Sequence, residues 1–136
     1  MRVLLANPES KVWSSRKQIP LGLGYLAAVL RDNGHDITIF DAAVEDEPFG
    51  QFLDRHDFQM VGVTATTPLI YEAWKMAEAA KQRGAITILG GAHLTIMPME
   101  SMEKPFVDFV AVGEAEDTLL ELVTDIETTG GTNYGA

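Results

Sequence analysis

The chain has 136 residues, 46% hydrophobic and 22% charged, enough for one domain with its own core. A net charge of −10 argues against a nucleic-acid or anionic-membrane partner, because both reward clustered Lys and Arg. There is no cysteine, which excludes disulfides, thiolate catalysis and cysteine-ligated iron–sulfur clusters within this chain and fits a cytoplasmic location. No apolar run is long enough for a membrane span, and the start Met1–Ala6 is too short for a signal peptide.

The first expected element is a strand over Arg2–Ala6. A long loop, "PESKVWSSRKQIPL", follows, then a helix striped by Leu23, Leu26, Ala27 and Leu30 and stopped by Asn33-Gly34. Asp36–Phe40 reads as the second strand and Phe49–Arg55 as a short helix. Met60–Thr64 is the third strand. Leu69, Ala73, Met76, Ala77 and Ala80 mark a helix ended by Gly84. Ile86–Leu89 is the fourth strand, Pro98–Glu103 a short helix with Pro in its first turn, and Phe109–Val112 the fifth strand. Leu119, Leu122, Val123 and Ile126 stripe the last helix. The tail Thr128–Ala136, "TTGGTNYGA", is small and polar and reads as a linker, so the domain is expected over residues 1–127.

The strand runs lack polar alternation, as strands covered on both faces do. Strand–helix alternation with right-handed crossovers predicts an α/β, three-layer Rossmann-like (flavodoxin-like) fold. Its doubly wound parallel five-stranded sheet takes the order 2-1-3-4-5. Ligands in such folds bind beyond the carboxyl ends of the strands. Function is therefore expected at Asn7–Pro8, Asp41, Thr64–Pro68, Gly90–His93 and Gly113–Glu114.

Gly22-Leu-Gly24-Tyr-Leu-Ala27 fits the dinucleotide fingerprint G-x-G-x-x-G/A, with Asp41 where a ribose-binding acid would follow. The fingerprint needs its glycines in the tight turn directly after the first strand, however, and Gly22 lies 15 residues beyond Asn7. Pro20 and Gly22 are better read as starting a helix that Gly24 lets lie close to the sheet. A phosphoacceptor site would want acids after the first and third strands and a Lys after the fifth, and none is there. The strand ends are instead "VTATTPL", "ILGGAH" and "VAVGEAEDTLLEL": hydroxyls, glycines that admit close backbone approach, and acids in a first helical turn. A bulky ligand held by backbone and hydroxyl contacts suits this face.

"IPLGLGYLAAVLRDNGHDITIFDA", "VGVTATTP", "AKQRGAITILGGAHLTIMP" and "VDFVAVGEAEDTLLEL" together resemble the cobalamin-binding N-terminal domain of class B radical S-adenosylmethionine enzymes, over about residues 1–127. The resemblance implies a corrin resting over the carboxyl ends of the strands and a nucleotide tail between sheet and helix. It implies Thr64, Ala65, Thr66 and Thr67 along the tail, the Gly90-Gly91 turn with Ala92 and His93, and Gly113 and Glu114 after the fifth strand. Asn7, Pro8 and the following loop would face the corrin, with Gly22 nearby. Two departures matter. The wider superfamily often carries D-x-H-x-x-G after the first strand, whose histidine ligates cobalt, and this loop has no histidine. Trp13 or Arg16 is expected to cover that lower face, with ordinary loop packing the alternative for Trp13. The family's C-x-x-x-C-x-x-C is also missing, so an iron–sulfur cluster and S-adenosylmethionine would belong to a radical domain beyond the linker. The resemblance implies a parent methyltransferase or cyclase. No acid–base pair, nucleophile–base pair or metal triad assembles at the strand ends, so the isolated chain is expected to be a non-catalytic cofactor carrier. A degenerate module acting as an interaction domain is the alternative.

Other residues have simpler readings. His93 starts a helix and is either structural or a ligand contact. His35 is expected in solvent and His56 on the surface. Met97, Met99 and Met102 line a pocket or, as is commoner, fill core. Asp41, outside the dinucleotide reading, is a turn residue or rim contact. Glu45-Asp46-Glu47 is a solvated loop, and Glu114, Glu116 and Asp117 suit a helix N-terminus without any function.

Overall fold

The computed structural model describes residues 1–8, 21–42, 45–65, 69–91, 97–111 and 116–129. Along the chain run β1 (Arg2–Asn7), α1 (Leu21–Asp32), β2 (Asp36–Asp41), α2 (Phe49–Asp54) and β3 (Met60–Thr64). They are followed by α3 (Ile70–Gln82), β4 (Ile86–Gly90), α4 (Pro98–Met102), β5 (Phe109–Val110) and α5 (Glu116–Thr129). The five strands form one sheet in the order β2-β1-β3-β4-β5, and every pairing is parallel, as the alternation predicts.

Side chains alternate across the sheet and build two cores. Leu4, Ala6, Phe40, Val61, Val63 and Leu89 meet α2 and α3 through Leu53, Ile70, Ala73, Met76, Ala77 and Ala80. Val3, Leu5, Met60, Ile88 and Ala111 meet α1 and α5 through Leu30, Leu119, Leu122, Val123 and Ile126. Of the helical stripes read from the sequence, Leu30, Ala73, Met76, Ala77, Ala80, Leu119, Leu122, Val123 and Ile126 are buried, and Leu26 and Ala27 pack partly buried against the core; the Leu23 side chain lies outside those described.

One device ends α1 and α3. Gly34 and Gly84 take positive φ angles of 88° and 83°. Gly34 N–H donates to Arg31 O and His35 N–H to Leu30 O, at 3.0 and 3.1 Å; Gly84 and Ala85 repeat the pattern on Lys81 and Ala80. These are Schellman caps, and each sends the chain straight into a strand.

Several expectations shift. α5 continues to Thr129, two residues past the expected domain edge, and β5 is shorter than Phe109–Val112. Gly24 is exposed, and a Cβ there would meet nothing within 4 Å, so it does not bring α1 close to the sheet. His35 is buried, not solvated: Glu127 lies 3.3 Å from its Nδ1 and also accepts from the Met1 amine at 2.7 Å. His56 is exposed as expected, against Phe52 and Phe58. Met97, Met99 and Met102 are 48%, 67% and 44% exposed, so they do not fill core. α4 instead buries Ser101, whose Oγ accepts from Trp74 Nε1 at 2.9 Å.

The edge between β4 and β5 is stitched by polar groups. Thr87 is fully buried; its Oγ1 donates to Phe106 O at 2.6 Å and accepts from Asp108 N–H at 3.0 Å. Asp108 accepts in turn from Thr87 N–H and Lys81 Nζ.

Candidate cofactor-binding site

Register across the sheet assembles the site. Asn7 pairs with Asp41, and Thr64 pairs with Gly90. Ala6 lies beside Val63 and Leu89 beside Val110, which brings Asn7 alongside Thr64 and Gly90 alongside Ala111. Asp41, Asn7, Thr64, Gly90 and Ala111 thus form one row across the carboxyl end. They share the parity of Val3, Leu5, Met60, Ile88 and Ala111, so the row faces the α1 and α5 layer. It contains no large apolar side chain. Among its members Asn7, Thr64 and Gly90 remain partly accessible.

The row behind it is closed. A Cβ on Gly62 would lie 3.0 Å from Leu5 Cδ2 and 3.3 Å from Ile88 Cγ2. Leu5 and Ile88 therefore lean over the glycine from either side and make an apolar floor. A ligand part reaching past the outer row between sheet and helices would meet this wall.

The two glycines ending β4 have different roles. Gly91 has φ +108°, and a Cβ there would lie 2.8 Å from both Ala65 O and Thr64 Oγ1. Its lack of a side chain is demanded by the protein's own β3 end. Gly90 has no such constraint: a Cβ would make ordinary contact, 3.6 Å from Ala111 Cβ. Ala65 N–H donates to Gly90 O at 2.9 Å, which locks the ends of β3 and β4 together.

Asn7, Thr64, Ala65, Gly90 and Gly91 are thus brought to one edge. Pro8, directly after β1, is fully buried. Gly22 lies inside α1, so the Gly22–Ala27 fingerprint is helix and not a tight turn. Trp13, Arg16, Thr66, Thr67, Ala92, His93, Gly113 and Glu114 lie outside the described residues. Asp41 corrects its reading as a turn or rim residue. It is the last residue of β2, 4% exposed, and its Oδ1 accepts from Asn7 Nδ2 at 3.2 Å. The sequence held the signal for this: in the order 2-1-3-4-5, an acid ending the second strand sits beside a polar residue ending the first.

The opposite face carries a cavity of about 390 Å³, floored by Phe40, Phe49 and Met76 and rimmed by Glu47 and Glu72. Phe40 and Asp41 point to opposite sides of β2, so this cavity is separate from the row. On its rim the Arg55 guanidinium donates to Glu47, with Nε at 2.8 Å, and this hydrogen bond holds the carboxyl below its ordinary value. The pair therefore stabilises the fold above the carboxyl's unfolded pKa. That contribution is lost as pH falls through the lower folded value. Arg55 is exposed and Glu47 half-buried at the rim, so the effect is small. The urea midpoint of Glu47→Gln is expected to lie slightly below wild type at neutral pH and to approach it as pH falls through the carboxyl's lowered folded value.

A doubly wound parallel sheet with a small or polar row at its carboxyl ends, partly accessible at Asn7, Thr64 and Gly90, is the arrangement of a ligand-binding α/β domain. The family model described as B12 binding domain matches residues 15–123, and the chain belongs to that family. It is 37% identical over 135 residues to the uncharacterized methyltransferase PH0819 of Pyrococcus horikoshii, covering 90% of this chain and 29% of that protein. It is 35% identical over 139 residues to the anaerobic magnesium-protoporphyrin IX monomethyl ester cyclase of Rubrivivax gelatinosus, covering 93% and 25%. The chain thus spans between a quarter and a third of the length of these curated relatives. In fold it is similar to the cobalamin-dependent S-adenosylmethionine radical enzyme OxsB with aqua-cobalamin and S-adenosylmethionine bound. The TM-score is 0.74 at 18% identity, over 93% of this chain and 19% of that one.

Proposed function

We propose that the chain is the cobalamin-carrying domain of a longer, cytoplasmic radical S-adenosylmethionine enzyme, a methyltransferase or cyclase. The corrin rests over the carboxyl ends of the strands, and the nucleotide tail enters between the sheet and the α1 and α5 layer. The observation that carries this is the row Asp41, Asn7, Thr64, Gly90 and Ala111, small or polar throughout, above the floor of Leu5 and Ile88. A planar heterocycle and sugar fit a slot of that kind, polar at its mouth and apolar at its base. Asn7 and Thr64 supply hydrogen-bonding groups, and Gly90 leaves room. Thr66, Thr67, Ala92, His93, Gly113 and Glu114 extend the same set by position, with Trp13 or Arg16 covering the lower face.

Bound cobalamin supplies a cobalt ion that can accept and release an alkyl group. This chain's contribution is to hold the ring without offering a histidine from the β1 loop, whose sequence has none between Asn7 and Gly22. The cluster chemistry and the cleavage of S-adenosylmethionine fall to a separate domain beyond residues 128–136, because this chain has no cysteine. Among the described residues no helix is long and apolar enough to cross a membrane.

The test is a titration with hydroxocobalamin followed by gel filtration and a visible spectrum. Corrin absorbance should co-elute at about one per chain, without the signature of an imidazole-ligated cobalt. A spectrum with that signature would overturn the absence of a histidine ligand. Loss of all corrin on the column, for this chain and for the longer protein alike, would leave a degenerate interaction module.

A further inference from the structure

Asp41 is the buried carboxylate of the described residues, 4% exposed at the end of an edge strand. Burying a carboxylate is costly, and Ile37, on the same face of β2, packs against the core there, so the face accepts apolar side chains. An apolar residue would therefore serve the fold. The carboxylate does something an apolar residue cannot: it accepts a hydrogen bond from Asn7 Nδ2 at 3.2 Å.

The chemistry of that contact is directional. A primary amide has a donor end and an acceptor end, and rotating it by half a turn exchanges them. A carboxylate accepts and does not donate, so it takes the NH₂ end. The carbonyl end of Asn7, Oδ1, is then turned away from Asp41. With a neutral partner either orientation would be tolerated, and the mouth of the slot would present donor and acceptor indifferently.

We propose that Asp41 is a positioning residue that fixes the orientation of the Asn7 amide, so that Asn7 presents an acceptor to an N–H donor of the ligand. The donor class is a primary carboxamide, the group cobalamin carries around its corrin ring. The role rests on the carrier reading above. It assigns Asp41 to specificity: a ligand with carboxylates in place of carboxamides meets the Asn7 carbonyl as an acceptor facing an acceptor, and is rejected.

Asp41→Asn keeps size and hydrogen-bonding capacity but frees the Asn7 amide to turn. Hydroxocobalamin retention is expected to weaken about tenfold in this variant, with unchanged circular dichroism. In an Asn7→Ala background the same substitution should change retention by less than about twofold, because nothing is left to orient. The Asn7 side-chain amide protons, assigned by their loss in Asn7→Ala, should be protected from exchange in the unliganded chain and less protected in Asp41→Asn. Equal losses in both backgrounds would mean a structural role for Asp41 and would overturn the proposal. So would unaltered retention in Asp41→Asn, or an Asn7 amide that exchanges freely in wild type. Loss of corrin by this chain and by the longer protein alike, with the Asn7 amide protected, removes the carrier reading and the ligand contact with it, while leaving the pair intact.

Discussion

Gly91→Ala is expected to destabilise the fold by about 2–4 kcal/mol, read as a lower urea midpoint at unchanged m-value. Two costs add. The first is conformational, since φ at Gly91 is +108°, a region that side-chain-bearing residues rarely occupy. The second is steric. The new methyl would lie 2.8 Å from Ala65 O and 3.0 Å from Ala65 N, both backbone atoms that cannot rotate aside. Ala65 is held there by its hydrogen bond to Gly90 O, so relief requires parting the ends of β3 and β4. Corrin retention falls as well, but as a consequence of the displaced strand ends. A Gly91→Ala variant within about 0.5 kcal/mol of wild type would show that the turn has another conformation available.

Much of this fold is legible in the chain. Runs such as "RVLLA" and "MVGVT" are uninterrupted because β1 and β3 are covered on both faces, and their connections leave few allowed strand orders. The Asn33-Gly34 and Gly84 stops are equally local, because a Schellman cap is built from residues adjacent in sequence. What the sequence hides depends on distant partners. His35 looks like a solvated turn residue until Glu127, 92 positions away, is placed beside it by α5. Met97, Met99 and Met102 look like core because they are apolar. A five-residue helix buries only a small patch, and in α4 that patch is Ser101, tied to Trp74 of α3. Gly24 looks like a contact glycine, yet it is exposed, and among the described residues a Cβ there would meet nothing within 4 Å.

The site divides the same way. Its residue types are visible at the strand ends, but the row is a property of register. No one segment reveals that Asp41 stands beside Asn7, or that Leu5 and Ile88 close over Gly62. The two glycines of "GG" are indistinguishable as letters. Only their backbone angles and neighbours show that one is demanded by the fold and the other is not.

Gly90→Ala separates those two demands. The residue sits at the end of β4 without a positive φ, and the added Cβ would make van der Waals contact with Ala111 at 3.6 Å for Cβ and 3.8 Å for O. Stability should therefore change by less than about 1 kcal/mol, since alanine carries a smaller backbone-entropy cost than glycine in a strand. The methyl would nevertheless stand in the row facing α1 and α5, between Thr64 and Ala111, where the proposed ligand enters. Overpacking a fitted slot by one methyl costs about 1–3 kcal/mol, which corresponds to a fall of about 5- to 150-fold in hydroxocobalamin retention. The pair of variants thus runs in opposite senses: Gly91→Ala loses stability first, and Gly90→Ala loses ligand from an intact fold. A Gly90→Ala chain that keeps both its stability and its corrin would put the tail elsewhere than between Thr64 and Ala111. The floor of Leu5 and Ile88 would then close an unused end of the sheet.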